Sequence, residues 1–158
     1  EGLTWLYIGD GRNNTVHSSM VICSKLGVNV TVISPKELFP EQKILDICKP
    51  FAEKSGAKIT VSDEISLVKG ADAVYTDVWA SMGEEALKLE RTKLLSPYQV
   101  NQKLMDMTCN PNTIFMHCLP AIKGEEVTED VFEGKQSKVF DQAENRKHTI
   151  KAIMLGLI

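Results

Sequence analysis

Leu3-Thr4-Trp5-Leu6-Tyr7-Ile8-Gly9-Asp10-Gly11 decides the fold: a short apolar run rich in aromatic and branched side chains, closed by a glycine turn. Such a run reads as a buried strand, and the residues after the turn have helical spacing. Asn13 or Asn14 can cap a helix whose apolar side carries Val16, Met20, Cys23, Ser24 and Leu26, with Gly27 as its stop. Asn29 to Ile33 is a second strand, Pro40-Glu41 opens a helix through Ile44, Ile47, Cys48 and Phe51 that Pro50 can kink, and Gly56 ends it. Lys58 to Val61 and Ala73 to Thr76 are further strands flanking a small helix around Ile65 to Val68. Glu84 to Met107 is helix-prone and interrupted at Pro97, and Thr113 to Met116 is the last strong strand. Thr128 to Phe132 reads as a short helix, Val139-Phe140 as a short edge strand and Glu144 to Leu157 as a terminal helix.

Strands alternating with helices, at connections too long for hairpins, imply right-handed crossovers and a parallel sheet covered on both faces. The expected fold is therefore one α/β domain spanning residues 1–158, a three-layer α/β/α doubly wound, Rossmann-like sheet. At 158 residues the chain buries roughly 70% of the surface of its unfolded form and can build a core unaided. Eighteen Lys plus Arg against 21 Asp plus Glu, a net charge of −3, argue against nucleic acid or an anionic membrane as partner. No apolar run approaches the roughly 18 to 20 residues of a membrane span. Four cysteines without Cys-x-x-Cys spacing suit reduced thiols in a cytoplasmic compartment, a mitochondrial matrix being equally compatible. A first residue that is Glu, and an apolar end at Ile150 to Ile158, suggest a piece of a longer polypeptide.

In doubly wound sheets ligands sit beyond the carboxyl ends of the strands, so the residues after each strand carry the functional signal. Gly9-Asp10-Gly11-Arg12-Asn13-Asn14 begins like a dinucleotide fingerprint but has Asn in place of the third Gly. The second strand ends Ile33-Ser34-Pro35, without the acidic residue that holds a ribose, which disfavours a dehydrogenase domain. Asp77-Val78-Trp79-Ala80-Ser81-Met82-Gly83 offers a carboxylate for an ammonium group and a hydroxyl and turn amides for a carboxylate; its bland reading is a cap and a surface turn. His117-Cys118-Leu119-Pro120 suggests a thiolate or a metal site, but neighbours on an extended segment point to opposite faces, so no metal is expected. Nothing local supplies a group to orient a nucleophile. Arg146, one of only three arginines, stands among Asp141 and Glu144 at the start of the last helix, where a surface ion pair is the ordinary reading.

In this order the four segments, over essentially the whole chain, resemble the second, ornithine-binding domain of the ornithine carbamoyltransferases. Aspartate carbamoyltransferases carry Pro where Cys118 stands and lack the Ser-Met-Gly loop. The resemblance implies transfer of a carbamoyl group from carbamoyl phosphate to the δ-amine of L-ornithine, giving citrulline and phosphate, with no cofactor. It implies that Asn14, Asp77, Ser81 and Met82 bind the α-amino and α-carboxylate ends of ornithine. It places Cys118 and Leu119 at the reacting centre with a cis Leu119-Pro120 bond, and Arg146 on the carbamoyl oxygen. Asp77, Cys118 and Arg146 are the implied catalytic residues, and the Ser-Met-Gly segment a candidate lid. The family's carbamoyl-phosphate domain, with its Ser-x-Arg-Thr motif and trimer contacts, has no counterpart here, so the fragment is expected to be inactive alone. The parent would be a homotrimer. A catalytically silent ligand-binding or interaction module is the alternative, expected if Asp77, Cys118 and Arg146 diverge in space.

Overall fold

Residues 2–80 and 88–157 are described by a computed structural model. Five strands, β1 (Thr4–Ile8), β2 (Asn29–Ile33), β3 (Ile59–Ser62), β4 (Ala73–Thr76) and β5 (Ile114–His117), form one parallel sheet in the order β3-β2-β1-β4-β5. Strand order reverses at β1, which pairs with β2 on one side and β4 on the other, Tyr7 lying opposite both Val32 and Tyr75. That reversal opens the crevice in which doubly wound sheets bind ligands.

The period of two in β1 separates two cores. Trp5 and Tyr7 face Val16 and Met20 of α1 (Asn14–Leu26), Cys48 of α2 (Gln42–Ser55) and Tyr75. Leu6 and Ile8 face the other way, onto Val68, Phe115, and residues of α4 (Gln102–Met107), α5 (Glu129–Phe132) and α6 (Val139–Gly156). Leu6, Tyr7 and Ile8 are fully buried, a burial worth about 1.5–3 kcal/mol for each of the two aliphatic side chains. Between β4 and β5 lies α3 (Lys88–Leu95), whose Leu95 closes a third cluster with Leu38 and Trp79. Among the described residues no helix is long and apolar enough to cross a membrane.

The expected doubly wound α/β sheet is present, with three local differences. Val139 and Phe140 are not an edge strand but the first residues of α6, which therefore starts well before Glu144. The outer edge of β5 is satisfied by irregular chain: Phe115 N–H donates to the Gln136 carbonyl and Lys138 N–H to the Phe115 carbonyl, both at 2.8 Å. Leu26 is largely exposed rather than part of the buried side of α1, because the helix ends there at Gly27, whose φ of 73° suits a left-handed cap. The expected helix from Glu84 is seen from Lys88 onward, residues 84–87 lying outside the described residues.

Candidate active site

The first turn is filled by the chain itself. A Cβ on Gly11 would lie 2.5 Å from the Leu38 carbonyl oxygen and 2.9 Å from Pro40, so this glycine permits backbone packing rather than approach of a pyrophosphate. Ser34, fully buried, accepts from the Gly11 N–H at 3.2 Å and donates to the Leu38 carbonyl at 3.0 Å. The position that would hold a ribose is thus an internal strut. Asn13 is the cap of α1, its Oδ1 accepting from Thr15 N–H at 2.8 Å. Asn14, whose Oδ1 accepts from the Thr15 hydroxyl at 3.4 Å, lines a neighbouring cleft.

That cleft has a volume of about 340 Å³ and is lined by Asn14, Thr15, Ser18, Ser19, Tyr75, Cys118, Gln142 and Arg146. A larger one, about 690 Å³, lies between α2 and β3 and is lined by Leu45, Lys49, Glu53, Ile59 and Val61. It is larger, but its charged groups, Asp46, Lys49 and Glu53, are exposed residues of α2 with no strand-end side chain among them, so chemistry rather than volume selects the smaller cleft. Asn14, Cys118 and Arg146, which stand far apart in sequence, are brought together there. Arg146 sits inside α6 rather than at its start, and the acids near it are engaged elsewhere: Asp141 with Lys138 at 3.2 Å and Glu144 with His148 at 3.4 Å. Among the described residues no carboxylate pairs with Arg146, so its guanidinium is available to the cleft. Of the other two arginines, Arg91 is held by Asp10 at 3.0 Å and Arg12 is exposed.

Asp77, buried at the carboxyl end of β4, accepts from its neighbour's Val78 N–H at 2.8 Å. One ligand atom each from Asp77, His117 and Cys118 lie within 4.8 Å of one another. The opposite-face argument fails here, because regular strand ends at His117 and the chain turns through Leu119, at φ 60°. The ring of His117 is nonetheless engaged on one side and faces a buried carboxylate on the other. Its Nδ1 accepts from Leu119 N–H at 2.9 Å, which leaves the ring proton on Nε2, 3.3 Å from Glu126 Oε1 but outside hydrogen-bond geometry. With Nδ1 of His117 taken by the Leu119 amide and the Cys118 thiol facing the Asp77 carboxylate, the three side chains are tied into the turn and to one another rather than held as an open ligand set. Leu119 packs its side chain on the core beside Phe115, and the Leu119-Pro120 bond is cis.

Burial pushes the Cys118 thiol up to about 12; the Asp77 hydrogen bond and charge add to this, while contacts with the Tyr75 and Thr15 hydroxyls oppose it. At neutral pH the thiol stays protonated, which argues against a thiolate nucleophile. Beneath it the Tyr7 hydroxyl is fully buried and titrates well above its usual range, through burial first and then the nearby charge of Asp77. Ser81 and Met82 lie outside the described residues. Four contributors carry no clear signal in the sequence: Thr15, Tyr75, Glu126 and Gln142. Glu126 is the group near His117 that no local motif supplies; it is fully buried with Oε1 accepting Ile122 N–H at 2.6 Å. The only hint of it in the sequence is an acidic pair after Gly124.

Comparison with known proteins identifies the family. The family described as aspartate/ornithine carbamoyltransferase, Asp/Orn binding domain, matches residues 1–157. An ornithine carbamoyltransferase of Pseudothermotoga lettingae is 53% identical over 159 residues, covering 100% of this chain and 51% of that protein. A catabolic ornithine carbamoyltransferase of Bacillus licheniformis is 52% identical over 176 residues, covering 100% and 52%. The solved ornithine carbamoyltransferase of Pyrococcus furiosus superposes with a TM-score of 0.91 at 45% identity, covering 98% of this chain and 49% of that one. The chain thus spans about half the length of the relatives it matches, and it belongs to the aspartate/ornithine carbamoyltransferase family as its Asp/Orn binding domain.

Proposed function

We propose that residues 1–158 form the ornithine-binding half of an ornithine carbamoyltransferase, with carbamoyl phosphate held by a second domain outside this chain. The observation that carries this reading is the meeting of the Asp77 carboxylate and the Cys118 thiol beside a cleft that also holds Asn14 and Arg146, the latter without a carboxylate partner among the described residues. A substrate with an amine at each end and one carboxylate matches that donor set. Asn14, Asp77, Ser81 and Met82 hold the α-amino and α-carboxylate end of L-ornithine, and Cys118 and Leu119 flank the δ-amine.

The δ-amine must be neutral to attack, its ordinary pKa being that of a Lys amine, about 10.4. Its nitrogen bonds to the carbamoyl carbon, the bond from that carbon to the phosphate oxygen breaks, and phosphate leaves with the electron pair. The amine proton passes along Cys118 toward Asp77, the neutral thiol accepting at sulfur while its own proton points to the carboxylate. Arg146 offsets the negative charge that grows on the carbamoyl oxygen, an effect of about 2.7–4 kcal/mol for one well-placed donor. No cofactor or metal enters these steps. With Arg91 committed to Asp10 and Arg146 to the carbamoyl oxygen, the phosphate cradle belongs to the second domain, as do the contacts of a homotrimeric parent. A cytoplasmic or matrix setting keeps Cys118 reduced.

Citrulline formation from carbamoyl phosphate and ornithine tests the reading on this chain and on the chain extended by the other half. We expect turnover only in the extended protein. An inactive extended protein would remove the enzyme reading in favour of a catalytically silent binding module, and an active short chain would remove the division into halves.

A further inference from the structure

Gln142 makes two bonds from the first turns of α6, and together they dictate the direction of a third. Its Oε1 accepts from the backbone N–H of His117 at 3.2 Å, and its Nε2 donates to the Tyr75 hydroxyl oxygen at 3.0 Å. A backbone N–H can only donate, so the amide orientation is not free: oxygen faces His117 and nitrogen faces Tyr75. The Tyr75 oxygen is thereby an acceptor, and its own proton is left for another neighbour. That neighbour is the Cys118 sulfur, which shares the cleft with Tyr75 and Gln142 and whose titration the Tyr75 hydroxyl holds down. The sulfur proton is then directed to Asp77.

Resting on the function proposed above, we infer that Gln142 and Tyr75 are positioning residues: a one-way hydrogen-bond chain from α6 through Tyr75 to Cys118 sets both the thiol and the helix that carries Arg146. His117 N–H lies on the outer edge of β5, so the Gln142 bond fastens α6 to the carboxyl end of that strand. Arg146 follows Gln142 by four residues, one turn along the same face, and both line the cleft. A rotation or slide of α6 that withdrew Arg146 would break both Gln142 bonds, so the two reacting groups keep one register. A carbamoyl oxygen and an attacking amine must be held together to within about 0.5 Å, and this chain links the side chains placed on each.

Gln142→Glu and Tyr75→Phe test this. Glu still accepts from His117 N–H but cannot donate to Tyr75, so the Tyr75 proton turns toward the new carboxylate and away from sulfur. The first readout needs no turnover: alkylation of Cys118 by iodoacetamide across pH, resolved by mass spectrometry, with exposed Cys109 as internal reference. The Tyr75 contact holds the thiol titration down. In Y75F, and in Q142E, the Cys118 curve should move to higher pH, with rates near about pH 9 lowered about two- to tenfold, the worth of one hydrogen bond. The Q142E displacement should shrink by more than half in a Y75F background. Unmoved curves, or displacements that simply add, overturn the chain. The second readout is citrulline formation in the extended protein, where both variants should lower kcat while the KM for ornithine stays within about twofold, as for groups that position rather than bind. An unchanged kcat overturns the positioning role. A wild-type extended protein that forms no citrulline removes the underlying function, and the alkylation curves still decide the chain.

Discussion

The ring of His117 holds the Leu119 amide: Nδ1 accepts that N–H at 2.9 Å across the turn after β5. This bond ties the last residue of the strand to the first residue beyond Cys118, so the thiol sits inside a closed loop rather than on a free connection. Changes to Cys118, to Asp77 or to their supports are therefore felt at one shared turn.

Asp77→Asn should make Cys118 more acidic. Asp77 raises the thiol both as hydrogen-bond acceptor and by charge, and a neutral amide removes the charge while keeping an acceptor for Val78 N–H. The Cys118 alkylation curve should therefore move to lower pH, opposite to the Tyr75→Phe change. Calorimetric titration should show that ornithine binding is lost, while the melting temperature stays close to wild type.

Stability should fall at alkaline pH because of the thiols. Burial raises Cys23 to about 11 and raises Cys118, with help from Asp77, to about 12. Each group binds its proton more tightly when folded. Its contribution is fully present below about pH 8.5, the value in an unfolded chain, and is lost as pH rises through the folded values. Between those limits the melting temperature should drop less in a Cys23→Ala, Cys118→Ala double variant than in the wild type. An equal drop would place the alkaline transition elsewhere.

How much of this was legible in the sequence depends on the range of each signal. The strand runs, the Gly27 stop and the break at Pro97 are local, and they are where they were expected. Val139-Phe140 misled because a branched and an aromatic residue suit a strand, whereas β5 already has its edge filled by residues 136–138 and leaves Val139 to the helix core. Asp77, Cys118, Asn14 and Arg146 were visible through strand-end position and resemblance. Tyr75 reads only as a core strand residue, and Gln142 as a surface helix residue, since their roles exist only in the contact between β4, β5 and α6. The approach of His117 to Cys118 depends on a left-handed Leu119, which no residue preference announces.

Gly11→Ala should destabilise the site from beneath. The added methyl meets the Leu38 carbonyl at 2.5 Å, a backbone atom that cannot swing away, so the turn carrying Asn13 and Asn14 has to move. Overpacking of this kind costs about 1–3 kcal/mol, measurable as a lower urea midpoint with an unchanged slope. Ornithine affinity should fall further than in Asn13→Ala, which loses only the α1 cap at about 0.5–2 kcal/mol.

Glu126→Ala and Glu126→Gln should separate two duties of one buried side chain. Glu126 accepts from Ile122 N–H at 2.6 Å and faces His117 Nε2 at 3.3 Å, with no exposure to solvent. Alanine strands the Ile122 N–H and leaves a cavity beside His117, and a buried unsatisfied group costs about 1–3 kcal/mol, so urea unfolding should register a large loss. Glutamine keeps an oxygen for Ile122 N–H but meets Nε2 with either a weaker acceptor or a second donor. Its stability should recover most of that loss. If His117 merely packs, turnover of the extended protein should recover as well. If the Glu126 charge fixes the Nε2–H tautomer, Nδ1 is no longer reserved for Leu119, and kcat should remain depressed in Glu126→Gln despite the restored fold. The expected result is the second, with the ring tautomer read by nitrogen-15 NMR of His117: a proton on Nε2 in the wild type and a mixture in the glutamine variant.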